Sequence, residues 1–293
     1  MRPAPPLLLM SALTLFGAAP RVAESPGPPT SVPALKRIAV IGASLSDGFL
    51  LPLEVDAMVT FADVVRATVK HHTTPPFRRS SALFFQDPTA YGTRYADAAR
   101  KHDPSLVIAV DFLFWFAYGF SIDDDDRLDW LETGLSLLET FECPILVSDF
   151  PDMRRAATEG VGVHGVPMIH PLQVPSPEGL RRLNARVAEW VDQRENAHLV
   201  RISRLLERIH RGQEVEVRGN HWPENSQATL INEDLLHTTF EGTIALSLIA
   251  MDVLARENAD VSEDAFVWDK EVIRKRVLKP REAERRQRGV RDP

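Results

Sequence analysis

Short runs of consecutive apolar residues alternate with longer amphipathic stretches through most of the chain. A run without polar positions suits a strand that is covered on both faces, whereas apolar residues spaced three and four apart suit one face of a helix. The runs predicted as strands are residues 38–41, 81–85, 106–110, 144–147 and 199–202, and the patterns predicted as helices are residues 58–70, 91–100, 128–138, 176–190 and 239–256. This alternation constrains the fold more than any other feature, because strands that are separated by helices pair in parallel.

The alternation predicts a three-layer α/β/α sandwich around a mostly parallel, flavodoxin-like sheet of about five strands. A parallel connection needs a crossover element, and each predicted helix is placed to supply one. In such sheets, ligands bind beyond the carboxyl ends of the strands. We therefore look for functional residues directly after the predicted strands.

Charge and cysteine content exclude several classes of protein. The formal net charge is −7, from 34 Lys and Arg against 41 Asp and Glu, so the whole chain offers no electrostatic reason to bind nucleic acid. Cys143 is the only cysteine, which excludes an intrachain disulfide and a cysteine-rich zinc site. Stability is therefore expected to come from packing.

The two ends of the chain differ in composition from its middle. Residues 1–23 contain a short apolar run after Arg2 that is followed by small residues, which is typical of a secretory signal peptide and predicts a periplasmic or extracellular location. The run is too short to cross a bilayer comfortably, so no transmembrane span is expected in the mature chain. Residues 24–35 are predicted as a Pro-rich linker and residues 36–258 as one domain. Residues 259–293 form a basic extension, which we interpret as a solvated and partly helical end.

Two segments carry the residue types of a serine hydrolase. The predicted first strand runs directly into a turn in which Gly42 and Gly48 allow close backbone approach, so that Ser44 can be displayed at the sheet edge. Near the other end, Asp234 precedes His237 by three residues, a spacing at which the carboxylate can hold the imidazole and fix its tautomer. Taken alone, a serine in such a turn is most often only a cap or turn residue, and the Asp–His pair is equally a local hydrogen bond on a surface turn. The prediction of nucleophilic catalysis rests on both segments together.

Together these segments resemble the SGNH/GDSL hydrolases. The strand-then-serine element matches the first block of that family, and Asp–x–x–His, followed by a glycine and an apolar helix, matches its last block. The resemblance implies that residues 36–258 are a serine esterase without metal or organic cofactor, with Ser44 as nucleophile. His237 would be the base and Asp234 its orienting carboxylate. The resemblance also implies oxyanion donors at the Ser44 backbone and at a glycine after the second strand, for which Gly92 is the candidate. Lipid esters, acetylated sugars and small acyl esters are all open as substrates.

Two departures from the family pattern leave a second function open. Ala43 stands where the family has Asp, and Asp111 follows the third strand, where the family has an Asn that donates to the oxyanion. An ionised Asp111 would repel the oxyanion unless it is protonated or turned to another partner. The alternative is therefore a catalytically weak or inactive SGNH-like domain that binds a carbohydrate or a cell-envelope partner. The aromatic cluster at residues 112–118 either lines the pocket or packs in the core.

Overall fold

A parallel sheet forms the centre of the molecule. A computed structural model describes residues 32–71 and 74–287, with side chains as far as residue 280; the predicted signal peptide and most of the predicted linker lie outside the described residues. The sheet of the described residues has five strands in the order β2-β1-β3-β4-β5, which is the flavodoxin-like order. The strands are β1 (Ile38–Gly42), β2 (Phe77–Ser80), β3 (Leu106–Ala109), β4 (Ile145–Ser148) and β5 (Ala197–Val200), and all neighbours pair in parallel.

Helices cover both faces of this sheet. In the described ranges they are α1 (Ser44–Asp47), α2 (Leu51–Val55), α3 (Phe61–Thr68), α4 (Pro88–Lys101), α5 (Phe114–Ala117), α6 (Asp124–Leu138), α7 (Arg154–Thr158), α8 (Pro177–Asp192), α9 (Ile202–His210), α10 (Gln227–Leu230), α11 (Phe240–Glu257) and α12 (Lys270–Gln287). Side chains of β1 alternate between the faces: Ile38 and Val40 share a buried cluster with α3 and α11, whereas Ala39 and Ile41 share one with α4, α6 and α8. The predicted three-layer α/β/α sandwich is confirmed.

The second strand lies four residues earlier than predicted. The apolar run at residues 81–85 is not a strand; it forms a turn and a short 3₁₀ helix in which Phe84 is fully buried. The strand is instead Phe77–Ser80, at the edge of the sheet, where Arg78 and Arg79 are exposed. An edge strand is covered less than a central one and tolerates charged side chains, so hydrophobicity alone selected the wrong segment.

Smaller differences concern the region after β4. The strand β5 begins at Ala197, two residues before the predicted start. A hairpin of β6 (Val215–Val217) and β7 (Asn220–Trp222) was not predicted. Its turn consists of Arg218 and Gly219, which have positive φ angles of 49° and 77°. Strands of three residues are too short to give a clear alternation pattern.

The segment after residue 258 packs against the rest of the described fold. Phe266 is fully buried, and the backbone N–H of Val267 donates to the carbonyl of Thr68 at 2.6 Å. In α12, Ile273 is fully buried and lies in the larger apolar cluster. Within the described ranges, none of the helices combines the length and the hydropathy needed to span a bilayer.

Basic side chains of α12 pair with a carboxylate at the start of α11. Glu241 is buried, accepts a hydrogen bond from Trp222 Nε1 at 2.7 Å and forms ion pairs with Arg274 and Lys270. The same end of α11 is held from the other side, because Glu54 accepts from the backbone N–H of Phe240 at 2.7 Å. These carboxylates also complement the positive end of the helix dipole.

We expect Phe266→Ala to lower the free energy of unfolding by about 3–5 kcal/mol, because it removes a fully buried aromatic ring and leaves a cavity. Urea denaturation followed by circular dichroism measures this change. Val272→Ala on α12 is the matched control, since Val272 is 38% exposed and its truncation should cost less than about 0.5 kcal/mol. Equal midpoints for Phe266→Ala and the unaltered chain would contradict this packing.

Candidate active site

Asp234 and His237 lie on a closed loop between α10 and α11. The loop is pinched by an antiparallel bridge between Ile231 and Thr238, and the N–H of Asn232 donates to the carbonyl of His237 at 2.8 Å. Both side chains are more than nine-tenths buried, with 1% of Asp234 and 4% of His237 exposed. The loop therefore fixes the two groups relative to each other.

Ser44, His237 and Asp234 form one hydrogen-bonded chain. Asp234 Oδ2 lies 2.6 Å from His237 Nδ1, and His237 Nε2 lies 2.8 Å from Ser44 Oγ. The other carboxylate oxygen, Oδ1, accepts from the backbone N–H groups of Leu236 and His237 at 3.0 and 2.9 Å. The structure thus brings together the three residues that the sequence pattern singled out from its two ends.

The electrostatics of the Asp234–His237 pair favour a defined tautomer. Burial raises the pKa of the Asp234 carboxyl, but hydrogen bonds from His237 and the charge of that ring outweigh it, so the pKa lies below its ordinary value. An ionised carboxylate beside Nδ1 needs a proton on that nitrogen. Nε2 of the neutral ring then carries no proton and can accept a hydrogen bond from the Ser44 hydroxyl.

The turn that carries Ser44 is held by a carboxylate from β3. Ser44 opens α1 directly after β1, and Ala43 at the N-cap has no side-chain oxygen to satisfy the first N–H groups of the helix. Asp111, which follows β3, supplies the acceptors. Its Oδ2 accepts from the N–H of Ser46 at 3.0 Å, and its Oδ1 accepts from the Ser46 hydroxyl.

Asp111 is therefore turned to another partner, one of the alternatives that its sequence position leaves open. Burial raises the pKa of this carboxyl above its ordinary value, and the hydrogen bonds from Ser46 act in the opposite direction. Gly42 makes room for the group, since a Cβ at that position would lie 1.9 Å from Asp111 Oδ1.

Gly92 is not brought to Ser44. It lies inside α4, and its Cα faces the side chains of Phe112, Phe116 and Leu137 in the core. It lines neither of the two spaces that border Ser44 in the described structure. The expectation that Gly92 supplies an oxyanion donor failed because the segment after β2 is a helix whose N–H groups serve the helix itself.

Some side chains of the aromatic cluster after β3 pack in the core, and others line the space next to Ser44. Phe112, Phe116 and Tyr118 are fully buried in the core. Phe114 and Trp115 border the spaces next to Ser44. Trp115 lines both of them, so one indole ring contributes to each wall.

Two spaces meet at Ser44 and His237, and both residues line each of them. The inner pocket is a cavity of about 70 Å³ whose apolar wall includes Val110, Leu205, Leu206, Ile209, Ile231 and Leu246. The outer groove is a cleft of about 390 Å³ whose apolar wall includes Phe49, Leu83, Phe85, Phe120, Met168 and Leu236. Sequence patterns did not identify these walls, because their residues come from separate helices and loops. The one available signal was the position of Phe120 just beyond the aromatic cluster.

Comparisons with known proteins add a limited likeness of fold. No protein-family model matches the chain, and no curated protein matches it. A solved structure of an inferred acylhydrolase from Bacteroides fragilis is 14% identical with a TM-score of 0.45, and the match covers 76% of this chain and 88% of that one. The C-terminal catalytic domain of Streptococcus pneumoniae peptidoglycan O-acetyltransferase A is 8% identical with a TM-score of 0.41, covering 76% and 94%. A family 3 carbohydrate esterase of Clostridium thermocellum is 12% identical with a TM-score of 0.40, covering 75% and 96%. At these values the likenesses carry no argument about chemistry.

We expect the contribution of Asp234 to stability to be lost in acid. Because the folded-state pKa of Asp234 lies below the unfolded value of about 3.9, its contribution is present above that pH and disappears as the pH falls through the folded-state pKa. The measurement is the difference in free energy of unfolding between the unaltered chain and Asp234→Asn from pH 7 to pH 2. The difference should be constant down to about pH 5 and should shrink below it. Asp260→Asn, at an exposed position, is the control, and a difference for Asp234→Asn that grows in acid would contradict the assignment.

We expect Gly42→Ala to lower the free energy of unfolding by about 1–3 kcal/mol, because the new Cβ would displace the Asp111 carboxylate from the α1 turn. A double-mutant cycle identifies the cause. In an Asp111→Ala background the same Cβ no longer clashes with the carboxylate, although it still meets the Ser46 side chain, so the cost of Gly42→Ala should shrink. An unchanged cost in that background would show that Asp111 is not the group displaced.

Proposed function

We propose that this chain is a serine esterase of the SGNH type, which hydrolyses a carboxylic ester through an acyl-Ser44 intermediate. The observation that carries the proposal is the continuous hydrogen-bonded chain from Ser44 Oγ through the His237 ring to the Asp234 carboxylate. This arrangement meets the geometric requirement for a nucleophile, its base and the group that orients the base. Its position at the carboxyl end of β1 is where parallel sheets bind ligands.

In the acylation step, Ser44 Oγ attacks the carbonyl carbon of the ester and His237 Nε2 takes the hydroxyl proton. The resulting tetrahedral intermediate collapses when the bond to the alcohol oxygen breaks, and His237 returns the proton to that oxygen. Asp234 stays ionised and stabilises the imidazolium between these two transfers. The products of this half are the free alcohol and the acyl-Ser44 ester.

In the deacylation step, a water molecule takes the place of the alcohol. His237 Nε2 accepts a proton from this water as its oxygen attacks the acyl carbon. The second tetrahedral intermediate releases the carboxylic acid, and the same proton returns to Ser44 Oγ. The net reaction consumes one ester and one water and needs no redox or metal chemistry from the residues named.

The oxyanion is stabilised in this proposal by the backbone at the start of α1. Ser44 is the first residue of that helix, so its N–H has no partner within the helix and lies at the positive end of the helix dipole. Asp111 holds this turn in place by accepting a hydrogen bond from the backbone N–H of Ser46. With Gly92 in the core and no Asn after β3, fewer donors are available than in the family pattern. Each missing donor costs about 10²–10³ in turnover, so we expect a slow enzyme.

The proposed location of the enzyme follows from the composition of residues 1–23. Residues 1–23 have the composition of a signal peptide, so we infer that the enzyme acts in the periplasm or outside the cell. Its substrate is a small-molecule, lipid or glycan ester.

We expect a fluorophosphonate probe to label the protein at Ser44 and Ser44→Ala to abolish both labelling and ester hydrolysis. Loss of the nucleophile in a coupled triad lowers turnover by about 10⁴–10⁶. Ser136→Ala is the matched control, since Ser136 is an exposed serine on α6, and it should label and turn over like the unaltered chain. Peptide mapping by mass spectrometry locates the probe.

An absence of labelling together with no cleavage of p-nitrophenyl acetate would remove the enzyme proposal. The chain would then be interpreted as a non-catalytic SGNH-like domain, and binding to cell-envelope glycans would be the next measurement. Labelling at a serine other than Ser44 would reject the triad while leaving a hydrolase.

A further inference from the structure

The inner pocket and the outer groove differ in size and in the exposure of the side chains that line them. The inner pocket measures about 70 Å³, and Leu206, Ile209 and Leu246 in its wall are each at most 5% exposed. The outer groove measures about 390 Å³ and is bordered by side chains that reach solvent. Since Ser44 and His237 line both, an ester bound at Ser44 has one half directed into each space.

The rim of the outer groove is apolar and exposed. Leu83 is 49% exposed, Phe85 42% and Phe120 63%, which places three large apolar side chains at the entrance rather than in the core. Exposed apolar groups gathered at one cleft mark a binding surface. Among the described residues that line the groove there is no Asp, Glu, Lys or Arg.

The polar groups of the groove offer few partners for a sugar. Gln173 is already engaged, because its Oε1 accepts from the N–H of His170 and its Nε2 donates to the Tyr118 carbonyl. His170 Nδ1 accepts from the N–H of Leu172. Hydroxyl groups of a sugar lying here would lose water and meet few free hydrogen-bonding groups, which is unfavourable.

The order of events in turnover decides which half of the ester lies where. The acyl group stays bonded to Ser44 after the first step, whereas the alcohol must leave and water must then reach the acyl carbon. Departure and entry need the open side, which is the outer groove with its exposed rim. The acyl group therefore occupies the inner pocket. The inner pocket is also the smaller of the two spaces, about 70 Å³ against about 390 Å³, so it suits the smaller half of the ester, a short acyl group.

From these observations we infer that the substrate class is the ester of a short carboxylic acid with a bulky, apolar alcohol. The short acyl group enters the inner pocket and the alcohol lies along the outer groove against Phe85 and Phe120. This inference rests on the proposed function and narrows it, because it excludes acetylated sugars and esters of long-chain fatty acids as preferred substrates.

Octyl acetate and ethyl octanoate test the inference directly. They are isomers with the same atoms, so they differ only in which half of the ester carries the long chain. We expect kcat/KM to be at least about tenfold higher for octyl acetate, since misplacing several methylenes costs that much in an apolar site. Acid release in a pH-stat below the solubility limit of both esters measures the two rates. Equal rates, or faster cleavage of ethyl octanoate, would overturn the inference.

Variants of the rim locate the alcohol. Phe120→Ser should raise the KM for octyl acetate several-fold and should affect ethyl acetate less, because the ethyl group is too short to reach the rim. Ile122→Ser is the matched control: Ile122 is 90% exposed, lies two residues away and does not line the groove. Ile122→Ser should leave kcat/KM unchanged for both octyl acetate and ethyl acetate. An equal effect of the two variants on octyl acetate, or an equal loss for both esters with Phe120→Ser, would show that Phe120 does not contact the long chain of the alcohol.

Failure of this inference and failure of the proposed function give different results. If Ser44 labels with fluorophosphonate and ethyl octanoate is the better substrate, the serine esterase stands and only the placement of the two halves is wrong. If Ser44 does not label and neither isomer is cleaved, the esterase proposal itself fails. The labelling and the isomer pair should be measured on the same preparation.

Discussion

The hydrogen bonds between the Asp111 carboxylate and the α1 turn determine how Ser44 is presented at the edge of the sheet. A chain that leaves a buried strand and starts a helix within two residues has several backbone N–H groups without partners. In most such turns a side chain at the N-cap accepts from them, but Ala43 has none to offer. The acceptor comes instead from the neighbouring strand, because β3 pairs with β1 and ends beside it. The order of strands in the sheet therefore determines which carboxylate reaches the turn that carries Ser44.

This arrangement connects the two departures from the family pattern. Taken separately, Ala43 and Asp111 both look like losses, one of a supporting carboxylate and one of an oxyanion donor. In the structure they are complementary, since the carboxylate missing at residue 43 is replaced by the one at residue 111, which binds the N–H and hydroxyl of Ser46. Gly42 fits the same logic, because any side chain there would occupy the space of that carboxylate. The compensation supports the turn but supplies no donor to replace the Asn.

The fold was predictable from the sequence to a large extent, and the site only in part. Central strands are apolar throughout and were recognised, whereas the edge strand β2 contains Arg78 and Arg79 and was missed. The proximity of Ser44, Asp234 and His237 was predictable because each belongs to a local pattern of a few residues. Gly92 was wrongly placed because its role depended on a loop that is in fact helix α4. The pocket walls have no local pattern, as they are assembled from residues far apart in the chain.

A second buried carboxylate, like Asp111, follows a strand and accepts hydrogen bonds from the first turn of a helix. Asp149 follows β4 and accepts from the N–H of Ser203 at 2.8 Å and from its hydroxyl, which fixes the first turn of α9. That helix carries Leu206 and Ile209 into the inner pocket. Both carboxylates border the pocket, and both direct hydrogen bonds from their oxygens to the N-terminus of a helix, Asp111 to α1 and Asp149 to α9. Because Asp149 fixes the start of α9, the sheet also fixes where the apolar side chains of that helix meet the inner pocket, which is the wall that the proposed acyl group would contact.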